Sequence, residues 1–172
     1  MTKNKKGFTI IEVVLVLAIA GLIFLMVFIA LPALQRGQRN TQRKDDIARF
    51  ITAINDYQSN NNGKSPFEDK KDYPDTGTLI TKYIKGNGGD AQFQDPDGES
   101  YHFKNKANGS GTKNDDGSYT LSLDTDVNHD IYFVVKAGCG ELESTYEVTS
   151  GKNDVALFYV GEGGQVICND NH

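Results

Sequence analysis

The feature that most restricts how this chain can fold is an uncharged apolar run of 22 residues, Val13–Leu34, near its start. A helix needs about 20 apolar residues to cross the hydrocarbon core of a membrane, so the run is long enough to do so. One acidic residue, Glu12, stands immediately before it. A carboxylate costs about 2.5–3.5 kcal/mol at the centre of a membrane helix and less near an end. The run therefore predicts a membrane-spanning helix and leaves the role of Glu12 to be explained.

Two simple interpretations account for only part of this N-terminal segment. A secretory signal peptide would suit the leader lysines and the A-x-A site at residues 18–20, but the apolar run continues for 14 residues beyond Ala20. A plain membrane anchor gives Glu12 no role. It also places basic residues on both sides of the run, so positive charge gives little orientation signal.

Charge is divided unevenly along the chain. Residues 1–44 contain seven Lys or Arg residues and one acidic residue, whereas residues 45–172 contain 11 basic and 22 acidic residues. A region this acidic is a poor binder of nucleic acid, so we expect no nucleic-acid partner.

The two cysteines, Cys139 and Cys168, form no CxxC pair, and the three histidines are scattered at His102, His129 and His172. Zinc sites usually have four ligands in paired spacing, so the sequence predicts no metal site and no cofactor. Two cysteines that follow a membrane-entry segment predict one disulfide outside the cytoplasm. Two free buried thiols are the alternative.

The run DTDVNHD resembles the start of a calcium-binding loop of the EF-hand type, because acidic or amide side chains occupy alternate positions. Its sixth position is His129 rather than Gly, and its twelfth is Val135 rather than Glu. We interpret it as turn material, like DPDGE and NDDGS, and leave open a calcium site in these loops. No catalytic motif such as G-x-S-x-G is present, so no enzyme is predicted. In DTDVNHD, the alternate acidic or amide positions are Asp124, Asp126, Asn128 and Asp130.

The stretch KKGFTIIEVVLVLAI resembles the class III signal of type IV prepilins, in which a short basic leader ends in Gly. In that family a prepilin peptidase cuts after the Gly, the new N-terminal Phe is N-methylated, and the fifth mature residue is Glu. The resemblance covers residues 1 to about 60 and implies cleavage between Gly7 and Phe8, with N-methylation of Phe8. It also implies that Glu12 pairs with the N-terminus of a neighbouring subunit during assembly.

The resemblance implies the pilin fold, an α+β fold in which an antiparallel β-sheet head packs on a long N-terminal helix. Apolar spacing predicts this helix over Phe8–Asn61, with NNNG as its stop signal. Gly21 and Pro32 are predicted to weaken or break it. The expected divisions are a leader (1–7), a hydrophobic helix (8–34), its amphipathic continuation (35–62), a variable loop region (63–117) and a β-sheet head with a C-terminal disulfide loop (118–172).

Within the head, strands are predicted at SYTLSL, DIYFVVKA, DVALFYV and QVIC. In the loop region before it, YHFK is predicted as a short strand and LITKYIK as one or two helical turns. The basic segment RGQRNTQRK, residues 36–44, is expected to contact other subunits or to carry surface charge in the filament. The alternative for this segment is contact with anionic lipid.

The resemblance further implies a structural subunit of a type IV pilus, a bacterial surface filament for adhesion and twitching motility. The expected partners are other copies of the chain in a helical filament, the prepilin peptidase, an ATPase-driven assembly machinery and, before assembly, the membrane, with the head outside. The block NTQRKDDIARFITAINDYQSNNNGKSP is similar to pilins of very small episymbiotic bacteria, which implies a host cell surface as a further partner. The alternatives are a minor pilin, a secretion or competence pseudopilin, and a membrane-anchored extracytoplasmic enzyme.

Overall fold

The computed structural model describes residues 7–67, 79–84, 93–124, 129–142 and 144–172. The chain forms two compact units, Met1–Gln38 and Arg39–His172. One long helix, α1 (Ile10–Asn60), supplies the helical part of the first unit and the first element of the second. A short π-helix spans Leu79–Ile84. This architecture confirms the predicted α+β fold with a long N-terminal helix.

The helix ends where the NNNG sequence predicts. Asn62 and Gly63 both have positive φ angles, 55° and 75°. The Gly63 N–H donates to the Gln58 carbonyl over 2.8 Å. This six-residue closure is a Schellman motif, which satisfies a helix-terminal carbonyl and turns the chain away from the helix axis. The left-handed conformation that it requires is tolerated best by Gly and Asn.

Gly21 and Pro32 lie inside α1, which is helical through both residues. The structure therefore shows no helix break at either position. A proline removes one backbone donor and a glycine costs about 1 kcal/mol relative to alanine, and here the remaining helical bonds keep the segment helical. Local melting of this segment inside a filament stays a prediction.

In the described part of the second unit, eight strands form two four-stranded sheets. The first sheet has the order β1-β4-β7-β8, and the second has the order β2-β3-β6-β5. In chain order the strands are β1 (His102–Asn105), β2 (Thr112–Lys113), β3 (Tyr119–Thr120), β4 (Asp130–Val135), β5 (Ala137–Cys139), β6 (Thr145–Val148), β7 (Val155–Val160) and β8 (Val166–Asp170).

The first sheet is buried on both faces, so the second unit has three layers. One face packs against α1 in a core that includes Ile47, Phe50 and Ile54 of the helix. The opposite face packs against the second sheet, through a separate cluster that includes Tyr132 and Phe158. Burial on both faces explains why β4 and β7 are almost continuously apolar rather than alternating.

Three details of the sheets differ from the predicted antiparallel head. β1 pairs with β4 in parallel, whereas the other strand pairs are antiparallel. The stretch DIYFVVKA, predicted as one strand, divides at Lys136, whose φ angle is 56°. At this left-handed residue the chain leaves the first sheet after β4 and enters the second as β5. β2 also lies within the predicted loop region, before residue 118, whereas β1 overlaps the short strand predicted at YHFK.

Candidate functional site

The predicted cleavage junction lies outside regular structure. Gly7 and Phe8 precede the first helical residue, and the Phe8 side chain is 90% exposed. A Cβ added at Gly7 would meet no other atom within 4 Å. Gly7 and Phe8 are therefore both exposed in the described chain.

Glu12 is bonded within its own chain. Its Oε2 accepts hydrogen bonds from the Thr9 backbone N–H and from the Thr9 hydroxyl, both over 2.8 Å. Thr9 is the residue before the helix and Glu12 is the third helical residue, which is the spacing of a capping box. The acid also lies in the first turn of α1, where it interacts favourably with the helix dipole. This pairing gives Glu12 a local partner in the single chain.

The apolar first half of α1 has an uncovered surface. Its large side chains are exposed from Ile10 to Leu34, including Phe24, Met26 and Phe28. Among the described residues, α1 is the one helix that is long and apolar enough to cross a membrane, judged by length and composition. A contiguous apolar surface of this size requires lipid or other protein to cover it.

A buried ion pair joins the second half of α1 to the loop before β1. The Arg43 side chain is 1% exposed, and its guanidinium donates to both oxygens of Asp95 over 2.5 and 2.6 Å. Arg39 forms a second two-point pair with Glu162 in the turn between β7 and β8. The bonded Arg39 guanidinium lowers the pKa of the Glu162 carboxyl. Arg39 and Arg43 therefore bind the second half of α1 to the loops of the β-sheet head.

Asp46 and Tyr101 form a third contact between α1 and the loops. The Tyr101 hydroxyl donates to Asp46 Oδ2 over 3.0 Å, and both side chains are buried. Burial raises the pKa of the Asp46 carboxyl, and burial beside that carboxylate raises the pKa of Tyr101. The contact holds the Tyr101 side chain against α1, so we assign Tyr101 a structural role.

The predicted disulfide is present in the structure. Cys139 at the end of β5 is bonded to Cys168 in β8, with their Cα atoms 5.9 Å apart. The bond therefore joins the second sheet to the first. Asp170 adds a bond at the same place, because its Oδ2 accepts from the Cys139 N–H over 2.5 Å.

The structure corrects one expectation and adds residues that sequence reasoning missed. The basic segment 36–44 was expected to contact other subunits or to carry surface charge, with anionic lipid as the alternative, but two of its residues, Arg39 and Arg43, bind acids of the same chain. The planar guanidinium group suits such two-point pairing with a carboxylate. Arg36 and Lys44 remain exposed. Of the EF-hand-like positions, Asp126 and Asn128 lie outside the described residues. The T-x-x-E spacing of Thr9 and Glu12 was a detectable signal for the capping box.

Comparison with known proteins gives one match. Residues 2–28 match the family model of the prokaryotic N-terminal methylation motif. No curated protein and no solved structure matches the chain. The motif includes the Gly7–Phe8 junction, Glu12 and most of the apolar run, and it points to a structural protein. The chain thus has at its N-terminus the methylation motif that is the class III signal of type IV pilin precursors.

Proposed function

We propose that this chain is a structural subunit of a type IV pilus. In the proposed sequence of events, the leader Met1–Gly7 is removed after Gly7 and the amine of Phe8 is methylated. The apolar helix waits in the membrane with the head outside, and an ATPase-driven machinery then moves the subunit into a filament. The filament serves adhesion and twitching motility, with a host cell surface as its target.

The observation that carries this proposal is the junction of the methylation motif with an apolar helical surface that the head leaves uncovered. The first half of α1 has no buried position in the described chain, whereas the second half is buried against the sheet. An apolar helix of this kind can exchange lipid for the helices of other copies without losing burial. The head keeps its own core throughout this exchange.

In this proposal, the charge of Glu12 favours the filament over the membrane. In the proposed filament its carboxylate pairs with the ammonium or methylammonium of Phe8 in a neighbouring copy, and a low dielectric strengthens that attraction. The capping bonds from Thr9 reduce the cost of the charge before the partner arrives. The same side chain can therefore be tolerated in the membrane and favoured in the bundle.

Filaments sheared from the native cells test the proposal. We expect the chain to be abundant in the sheared fraction and to lack residues 1–7. The matched variant is Gly7→Val, which places a branched side chain at the cleavage junction and should leave the chain in the membrane with its leader intact. Failure to find the chain in sheared filaments, with a processed N-terminus in the cell envelope, would contradict the pilus assignment and indicate a pseudopilin.

A further inference from the structure

Three side chains that are scattered in the sequence meet at the start of the parallel strand pair. The register of β1 and β4 places His102 opposite Asp130. The backbone N–H of His102 donates to the backbone carbonyl of His129 over 3.0 Å. The two imidazole rings lie edge to face, with centroids 4.9 Å apart. One nitrogen of each ring and one Asp130 oxygen all lie within 4.8 Å of one another.

Asp130 provides a second observation that points to a ligand. Its side chain is 1% exposed, and its Oδ2 accepts from the Lys104 ammonium and from the Tyr132 hydroxyl. Its buried Oδ1 has no hydrogen-bond partner among the residues that the structure describes, and the His102 Nδ1 lies 3.6 Å away. A buried carboxylate oxygen without a partner is costly, so native proteins usually supply a donor or an ion.

We propose that His102, His129 and Asp130 bind a zinc ion. Two imidazole nitrogens and one carboxylate oxygen are the donor set of three-ligand zinc sites, in which water takes the fourth position. Calcium and magnesium prefer oxygen ligands throughout, so this set selects against them.

The geometry requires a small closing movement. Ligand atoms at about 2.0–2.2 Å from one tetrahedral zinc lie about 3.3–3.5 Å apart. The present atoms are within 4.8 Å, and the His102 side chain is 60% exposed, so it is the ligand with most room to shift toward the ion. The bound ion would tie β1, an edge strand, to β4 and to the residue that precedes it. Lys104 stays on the other Asp130 oxygen and limits the negative charge, so we expect moderate affinity.

Zinc titration of the full chain in detergent, with the disulfide intact, tests this site by calorimetry. We expect one zinc ion to bind, and His102→Ala and His129→Ala each to weaken its affinity by at least about tenfold, since each removes a ligand. His172→Ala is the matched control, because the His172 ring also lies beside a carboxylate, 3.3 Å from Asp154. This control should bind zinc like the unchanged chain.

A second measurement separates metal binding from a folding defect. Zinc should raise the thermal unfolding midpoint of the unchanged chain and of His172→Ala, and should not raise that of the double variant His102→Ala/His129→Ala. X-ray absorption of the loaded chain should show two imidazoles. The proposal is overturned if the unchanged chain binds no zinc below millimolar concentration, if His172→Ala loses as much affinity as His102→Ala, or if calcium displaces the zinc.

Discussion

Glu12 has one partner in the single chain and a second partner in the proposed filament. In the single chain the carboxylate accepts two bonds from Thr9, and the bond from the Thr9 backbone N–H caps the start of the helix. Removing such a cap costs about 0.5–2 kcal/mol of helix stability. The two roles make different demands, because capping needs a hydrogen-bond acceptor and assembly needs a negative charge.

The substitution Glu12→Gln separates these roles. Glutamine can replace glutamate in a capping box but has no charge. We therefore expect Glu12→Gln to insert into the membrane normally and to abolish filaments, as Glu12→Ala should. Electron microscopy of sheared preparations and membrane fractionation measure the two outcomes.

Thr9→Ala is the matched control for this experiment. It removes the capping hydroxyl and keeps the charge of Glu12, so filaments should persist. If Glu12→Gln forms filaments and Thr9→Ala does not, then capping rather than charge is the function of this residue.

Arg43 and Asp95 form the most deeply buried ion pair in the described part of the chain. Removing one partner of such a pair leaves an uncompensated buried charge and costs about 3–5 kcal/mol. We expect Arg43→Ala to lower the free energy of unfolding by about that amount. Denaturant unfolding of the full chain in detergent, followed by near-ultraviolet circular dichroism, measures it.

Arg49→Ala provides the comparison for Arg43→Ala in the same helix. The Arg49 side chain is 41% exposed, and it donates to Asp46 over 3.1 Å. Because Arg49 is exposed to solvent and the buried Asp46 keeps its hydrogen bond from Tyr101, this variant should lose clearly less stability than Arg43→Ala. Equal losses in the two variants would contradict the assigned importance of the buried pair.

At the scale of single residues, the sequence was informative where the residues concerned lie close together along the chain. Gly7, Phe8 and Glu12 belong to one motif. The T-x-x-E spacing of Thr9 and Glu12 lies in the same stretch, but its capping role was not predicted. The Arg43–Asp95 bond was not predictable, because 52 residues separate its partners and neither residue type specifies a contact. Only the folded head brings them together.

At the scale of elements, the Cys139–Cys168 disulfide links β5 to β8. It closes a loop between residues with a sequence separation of 29. In the chain-entropy model a loop of this length stabilises the fold by about 3–4 kcal/mol. We expect Cys139→Ser/Cys168→Ser to lose about that much free energy of unfolding. Reduction of the unchanged chain should produce a similar loss, and a loss below about 1 kcal/mol in both would contradict this role.

The contact between α1 and the β7–β8 turn predicts a response to acid. The hydrogen bonds from Arg39 hold the pKa of Glu162 in the folded chain below its ordinary value of 4.5. The unfolded chain therefore binds the proton first as pH falls, so this contribution is present above about pH 4.5 and is lost as pH falls through the folded pKa. Asp46, whose pKa is raised by burial, acts in the opposite direction.

Glu162→Gln isolates the Glu162 contribution because Asp46 is unchanged in it. We expect its unfolding free energy to fall less between pH 5 and pH 3 than that of the unchanged chain. Denaturant unfolding at each pH measures the difference. Parallel pH profiles for the two chains would contradict the pairing.

Periodicity predicted the helix, its stop and the two central strands, because these elements encode burial directly in their apolar patterns. It did not predict the break at Lys136, since a left-handed lysine has no sequence signal of the kind that Gly provides. It also missed β2 and β6 of the second sheet, and β3, predicted within SYTLSL, has only two residues, as β2 does. Strands this short are defined by their neighbours rather than by their own composition.

At the scale of the whole molecule, the two compact units have different requirements. The second unit has cores on both faces of its first sheet and buried ion pairs of its own. The first unit exposes apolar side chains throughout its helical part, so it needs an apolar environment from outside. The central claim is that this environment is first lipid and then other copies of the same chain.

Mass spectrometry of the N-terminal peptide of the chain, isolated from native cells, tests this claim most directly. Our account predicts a mature chain that begins at Phe8 and carries one methyl group on its amine. The matched Gly7→Val variant should yield the unprocessed chain. A native protein that begins at Met1, or just after Ala20, would contradict the account.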